Sequence, residues 1–168
     1  IFPACSDAGI PLGLALWGYY NLEQIGAFKR KKFRWKHAYT GMEYSDNYIK
    51  RLFFQYAIPH SRMTLKETAK LISKGKIVGW YQGGSEYGPR ALGHRSILAD
   101  SRQAEMKDKI NLRVKHREPF RPFAPSIIYE SVSEYFDLDR ESPYMLLISK
   151  VKKPKSIPSV THVDNTAR

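Results

Sequence analysis

Cysteine is almost missing from these 168 residues, with Cys5 the only one. An internal disulfide and a cysteine-built zinc site are therefore excluded, and a reducing, cytoplasmic setting is favoured. Long apolar runs are missing too. No stretch approaches the ~18 apolar residues that a membrane-spanning helix needs. The opening Ile1–Asp7 has neither the basic start nor the apolar run of a signal peptide. Internal repeats and low-complexity tracts are absent. Acidic residues are scarce: 16 Asp and Glu stand against 28 Lys and Arg, a formal net charge of +12. That excess points to an anionic partner: nucleic acid, an acidic membrane surface or phosphorylated small molecules. What the chain does have is apolar material, 42% of residues, enough for a packed core and against disorder. Its length suits one domain, or one domain with a piece of another.

The most informative stretch runs from Gln82 to Ser96 and carries Gly83, Gly84, Gly88, Pro89 and Gly93. Apolar runs flank it, Ile77–Tyr81 before and Ile97–Ala99 after, and both read as strands. Glycines let the turn bend tightly and bring backbone close to a ligand. Arg90 and Arg95 sit inside it, with Ser96 following. A strand, a glycine-rich turn with two guanidiniums and a second strand suit a phosphate pocket, because guanidinium presents a planar fork of permanently charged donors. The competing reading is a surface loop whose arginines meet solvent or Glu86.

Elsewhere the signals are local. Asp7 precedes an apolar helical segment at Ile10–Trp17, where it reads as a helix cap, with a metal ligand the sharper alternative. Phe28–His37 interleaves cations with aromatics, a pattern that suits either nucleic acid or a solvated connector; no RNA- or DNA-binding motif frames it. Ser45 and Asp46 can cap a helix over 47–56, and Thr64 with Glu67 forms a capping box for a helix ending near Gly75. A polar helix over 103–111 places Met106 and Ile110 on one face. Lys115, His116, Arg117 and Arg121 then lie in a proline-stiffened run to Pro125 that reads as extended, so Lys115 and Arg117 would project together towards one anion. A further capping box is expected at Ser131–Glu134. With strands near 77–81, 96–99, 123–129 and 144–149 between helices, the fold class is α/β.

Three ordered motifs carry a resemblance: Gly88–Asp100 (GPRALGHRSILAD), Met106–Asn111, and Lys115–Pro125 (KHREPFRPFAP). Together with His162–Arg168 (HVDNTAR), they resemble the carbamoyltransferase family of the NodU-type nodulation proteins and antibiotic O-carbamoyltransferases. Two positions depart from it: His94 stands where asparagine is usual, and Asn165 where glycine is usual. The resemblance implies a YrdC-like twisted open sheet with flanking helices, truncated, over 61–168. It makes 1–25 the tail of an ASKHA-type metal domain and 26–60 a connector with the basic run. It implies a fragment of an enzyme that forms carbamoyl-adenylate from ATP and carbamoyl phosphate, then transfers the carbamoyl group to an acceptor hydroxyl compound in the other domain. Arg90, Arg95, Ser96, Met145 and Arg168 would bind the nucleotide and phosphates, while Lys115, Arg117 and Arg121 would serve the chemistry. His116 and His162 are titratable neighbours with structural or phosphate-binding roles. Asp7 would ligate iron or another divalent metal only with ligands from the full-length protein. Small-molecule phosphates are the expected partners, with a homodimer left open, no membrane, and nucleic acid disfavoured; the alternative reading is a YrdC-like RNA-binding module.

Overall fold

The computed structural model describes residues 3–4, 6–27, 29, 31 and 35–168. Five residues of the basic run (Phe28, Arg30, Lys32, Phe33 and Arg34) and Cys5 lie outside them. The elements in order are α1 (Ile10–Gln24), α2 (Asp46–Gln55), α3 (Leu65–Ser73), β1 (Val78–Tyr81), β2 (Arg95–Leu98), α4 (Met106–Arg113), α5 (Val132–Tyr135), β3 (Ser149–Lys150) and β4 (Thr166–Ala167). This is a small α/β arrangement with two antiparallel two-stranded sheets, β1–β2 and β3–β4. Among the described residues no helix is long and apolar enough to cross a membrane.

Capping chemistry places the helices as expected at two starts. Ser45 accepts the Tyr48 N–H to open α2. Thr64 and Glu67 form a reciprocal capping box at α3, in which the Thr64 hydroxyl accepts the Glu67 N–H and the Glu67 carboxylate accepts the Thr64 N–H. Two other caps are corrected. Asp7 opens a 3-10 turn, and α1 begins after Gly9 without a side-chain cap. Ser131 makes no cap hydrogen bond to the one-turn α5, because its backbone is already helical and the preceding turn supplies the geometry. In α4 the expected stripe is present: Met106 and Ile110 are buried on one face, 1% and 5% exposed.

The strands at 77–81 and 96–99 form one hairpin, pairing Val78 with Leu98 and Tyr81 with Arg95. Residues 123–128 and 144–148 form no ladder, so the four-strand reading is corrected to two short pairs. Prolines at 119, 122 and 125 remove backbone donors and explain the first loss. Met145 at φ +53° breaks the second run, since a strand cannot pass through a left-handed residue.

Two apolar centres support the arrangement. Phe136, Val151, Ile157, Val160 and Ala167 pack together, with Phe123, Ile127, Val132, Tyr135 and Leu138 partly buried against them. β3 and β4 run through this cluster, Ser149 opposite Ala167. The turn at 158–160 ties it to the residues before α4: Ser159, itself 5% exposed, donates to the Ser101 carbonyl from both its N–H and its hydroxyl. Asn165 has φ +60°, the left-handed conformation that glycine adopts freely and asparagine tolerates best among the rest. The backbone at 165 is therefore one that glycine would also adopt.

Residues 37–42 lie along the central loop. Gly41 donates to the Ser85 carbonyl, and Tyr87 N–H to the Ala38 carbonyl. Gly84 faces two backbone oxygens at once: a Cβ there would sit 2.9 Å from the Tyr39 carbonyl oxygen and 3.0 Å from that of Gly41. Both neighbours are backbone and cannot swing away. Gly84→Ala should therefore cost about 1–3 kcal/mol, the usual range for overpacking, read as a lowered melting temperature. Gly79→Ala, where a Cβ meets nothing within 4 Å, should melt close to the parent.

Candidate functional site: an arginine-lined cleft

The central loop, residues 82–94, is organised around one carboxylate. Glu86 Oε1 accepts the backbone N–H groups of Leu92 (2.9 Å), His94 (2.8 Å) and Arg95 (3.0 Å). Partial burial opposes ionisation of Glu86, but these backbone donors outweigh it and hold its carboxyl below the ordinary value. The loop is closed from outside by Tyr39, whose ring stacks on His94 with centroids 3.5 Å apart, while its hydroxyl donates to the Leu92 carbonyl. Burial first, then the Glu86 carboxylate, pushes the Tyr39 phenol up, so it remains a donor at neutral pH. His94 Nδ1 lies 2.8 Å from the Gly84 carbonyl oxygen. The imidazole at the usual asparagine position thus has two partners of its own.

Arg95 is consumed by the same loop. Its Nη1 donates to the carbonyls of Gln82 (2.6 Å) and His94 (3.0 Å), and its Nη2 to those of Met42 (3.2 Å) and Gly83 (2.9 Å). The guanidinium also lies 3.6 Å from the Tyr81 ring centroid. Ser96 Oγ accepts the Gly93 N–H. Both residues hold the loop in shape from within, and neither lines the cleft described next.

A cleft of about 370 Å3 opens where this loop, the turn after α4 and the β3–β4 unit meet. Arg90 reaches it from the central loop, Arg117 and Arg121 from the turn after α4, Met145 from the approach to β3, and His162 and Arg168 from either side of β4. Phe123 lines it with Pro122 and Ala124, while its partial burial against the core cluster anchors that wall. Four arginines and a histidine line this space, and no Asp or Glu among the described residues does. Arg117 lies over Phe123, 4.8 Å from the ring centroid. Arg121 Nε pairs with Glu118 at 3.0 Å, both half exposed, a solvent-screened contact that a ligand can displace. His162 Nδ1 lies 3.2 Å from the Thr166 hydroxyl, whose own proton goes to Asp164 at 2.7 Å.

Of the residues expected from sequence, Arg90, Arg117, Arg121, Met145 and Arg168 come together. Lys115 does not join them. The extended reading of 115–117 is corrected because the end of α4 claims these amides: Lys115 N–H bonds to the Ile110 carbonyl and Arg117 N–H to that of Asn111, with His116 at φ +48° between them. Only Arg117 turns into the cleft; Lys115 is exposed. Asp7 is exposed in its turn, and the described residues contain no group of three His, Cys, Asp or Glu able to hold a metal. One carboxylate does not by itself make a coordination site.

Asn111 went unnoticed as a functional candidate. It is wholly buried, 0% exposed. Its Oδ1 accepts from Arg117 Nε at 2.7 Å, and its amide donates to the carbonyls of Arg121 (2.9 Å) and Pro119 (3.3 Å). The available signal was its place next to Ile110 on the buried face of α4, where a polar side chain needs a polar partner.

Comparison with known proteins identifies the family. Residues 69–168 match the model of the family described as "Carbamoyltransferase C-terminus", and the chain belongs to that family. It is 40% identical over 176 residues to nodulation protein NolNO of Sinorhizobium fredii, covering 99% of this chain and 25% of that protein. It is 32% identical over 168 residues to a 3'-hydroxymethylcephem-O-carbamoyltransferase of Streptomyces clavuligerus, covering 100% and 30%. Nodulation protein U of Sinorhizobium fredii is 41% identical over 110 residues, covering 64% and 20%. The chain thus spans roughly a quarter to a third of the length of the curated relatives it matches across its whole extent.

The lowered carboxyl of Glu86 has a direction in pH. Its charged form is favoured by folding, so the stability it contributes is present above its unfolded pKa of about 4.3 and is lost as pH falls through the lower folded value. Glu86→Gln should melt below the parent at neutral pH, and the gap should narrow on acidification below about pH 4. Thermal melts of both proteins across pH 3–7 check this.

Proposed function

We propose that this chain supplies the adenylation part of an O-carbamoyltransferase: it binds ATP and carbamoyl phosphate and makes carbamoyl-adenylate, from which the carbamoyl group passes to an acceptor hydroxyl in the rest of the protein. The observation that carries the reading is the convergence of Arg90, Arg117, Arg121 and Arg168 on one cleft that no described Asp or Glu lines. A volume of about 370 Å3 falls in the range of small-molecule sites. The family membership supports a carbamoyl-transfer role, and the relative named for carbamoylating a hydroxymethylcephem supports a hydroxyl acceptor. The YrdC-like character of the domain and its boundary near residue 61 belong to the same proposal.

In this scheme carbamoyl phosphate is cleaved by water to carbamate and inorganic phosphate. A carbamate oxygen then attacks the α-phosphorus of ATP, forming the mixed anhydride as the bond to pyrophosphate breaks. Two polyanions must approach each other for this, and fixed cations reduce their repulsion before the reaction begins. Arg117 offers a fixed fork. Its Nε is held by Asn111 and its face rests on Phe123, so its terminal nitrogens are left for an anion. Arg121 can exchange its exposed Glu118 partner for a phosphate. Charge that builds on the α-phosphate in the transition state would be met by guanidiniums already in place, as in other phosphoryl transfers. Met145 and Phe123 provide the apolar surface suited to a base or ribose. No Ser, Thr, Cys, Lys, Asp or Glu among the described residues lines the cleft, which fits a reaction in which both partners are substrates.

The RNA-binding alternative gains nothing here, since half of its basic run lies outside the described residues. Calorimetric titration of ATP and then carbamoyl phosphate tests the proposal. Arg90→Ala and Arg117→Ala should each weaken ATP binding about tenfold or more, the value of a charge-assisted hydrogen bond. Lys115→Ala should change it about threefold at most, the small effect expected of a screened surface charge. Equal losses in all three variants would put the site elsewhere. In the full-length enzyme, pyrophosphate release that depends on carbamoyl phosphate should fall with the first two variants.

A further inference from the structure

The arginines of this chain are held in two chemically different ways. Arg102 gives Nε and Nη2 to both oxygens of Asp100, which is only 7% exposed. That carboxyl is held below its ordinary value chiefly by its hydrogen bonds from the Arg102 side chain. The pair cancels its own charge. Arg140 sits against Asp139 in the same fashion, at the surface. Arg117 is held at the same atom, Nε, but by the neutral carboxamide of Asn111. We propose that Asn111 is a positioning residue that orients the Arg117 guanidinium for an anionic phosphate ligand while leaving its charge uncancelled, and that it sets Arg117 in register with Arg121. The proposal rests on the adenylation-cleft reading and assigns to that site a residue outside the cleft lining.

Four features support it. Asn111 has no exposed surface, so its polar atoms depend wholly on these partners. All of them belong to the loop that carries the cleft arginines: Arg117 through Nε, and Pro119 and Arg121 through their carbonyls. Its own backbone carbonyl also accepts the Arg117 N–H at 3.0 Å. With Nε engaged and Phe123 beneath the plane, the edge of Arg117 carrying Nη1 and Nη2 has no hydrogen-bond partner among the described residues and belongs to the cleft. That edge matches two phosphate oxygens side by side.

The chemistry discriminates between an amide and its acid. Aspartate at position 111 would have nearly the same shape, yet it would pair with Arg117 as Asp100 pairs with Arg102. It would also present lone pairs to the Pro119 and Arg121 carbonyls in place of donors. Alanine would remove the tether and leave the charge.

A double-mutant cycle reads the role directly. ATP and inorganic pyrophosphate are titrated into the parent chain, Asn111→Asp, Asn111→Ala, Arg117→Lys and the combined Asn111→Asp/Arg117→Lys, with melting temperatures recorded alongside. Arg117→Lys removes the Nε tether together with the fork and takes the donor from the buried Asn111 Oδ1, so its melting temperature is read beside its ligand binding. Asn111→Asp should weaken both ligands at least tenfold and Asn111→Ala less, while the aspartate change should matter under threefold once Arg117 is lysine. A ligand-free measurement accompanies these: the Arg117 Nε–H resonance, assigned by its loss in Arg117→Lys, should exchange slowly in the parent and fast in Asn111→Ala. Equal losses from Asn111→Asp with arginine or lysine at 117 would overturn the positioning role while leaving the cleft reading intact. Absence of saturable binding by the folded parent would overturn both. An Nε–H that exchanges equally fast in the parent and in Asn111→Ala would overturn the tether whatever the ligands do.

Discussion

Four guanidiniums facing one cleft repel one another, and the scaffold has to hold them there without cancelling the charge that gives them a use. Coulomb repulsion at short range is weak in bulk water and several-fold stronger beside protein. The ordinary way to fix an arginine, a buried carboxylate, is thus closed to this site, although the same chain uses it for Arg102 and Asp100 outside the cleft. The solutions found here are neutral or screened. A carboxamide holds Arg117, an aromatic face supports it, and a half-exposed glutamate that water already screens accompanies Arg121. The best-buried acids are spent elsewhere: Glu86 on backbone N–H groups, and Asp100 on an arginine outside the cleft.

The central loop shows the same division of labour from the opposite side. Glu86 gathers three amides and Arg95 gathers four carbonyls, so a carboxylate and a guanidinium a few residues apart both bond to backbone instead of to each other. Each takes the orphan groups that a turn without regular secondary structure leaves unpaired. The result is a loop rigid enough to present Arg90 into the cleft. Its glycines follow from that architecture where the backbone comes closest, at Gly84 against residues 39–41.

Local chemistry was the legible part of the sequence. The Thr64–Glu67 box, the Ser45 cap, the Met106–Ile110 stripe and the β1–β2 hairpin each depend on residues close together in the chain, and each was readable from spacing. The motifs also brought Arg90, Arg117, Arg121, Met145 and Arg168 to notice, and all five line one cleft. Where the reading went astray, the deciding interaction was non-local or lay in backbone conformation. Lys115 and Arg117 are two apart, but helix-end carbonyls and a left-handed His116 send them different ways. Arg90 and Arg95 look equivalent in sequence, and only the positions of the Gln82, Gly83 and Met42 carbonyls distinguish the cleft-facing residue from the one bonded within the loop. Residues 144–148 read as a strand from their apolar run, which carries no information about the positive φ at Met145.

Cleft and core share a wall, and this ties the placement of the guanidiniums to folding. Phe123 packs against the Phe136–Val160 cluster with one part of its surface and meets Arg117 with another. Ala167, 2% exposed, fixes the strand that sets out Arg168, and Ser159 joins the same cluster to the approach of α4, which carries Asn111. A cation mounted on a packed core loses little conformational entropy when its ligand arrives, since its side chain is ordered beforehand. The same mounting means that loosening the core would misplace the arginines before it unfolded the protein. Positions such as Val160 and Ala167 therefore belong to the physical basis of the cleft, although neither lines it.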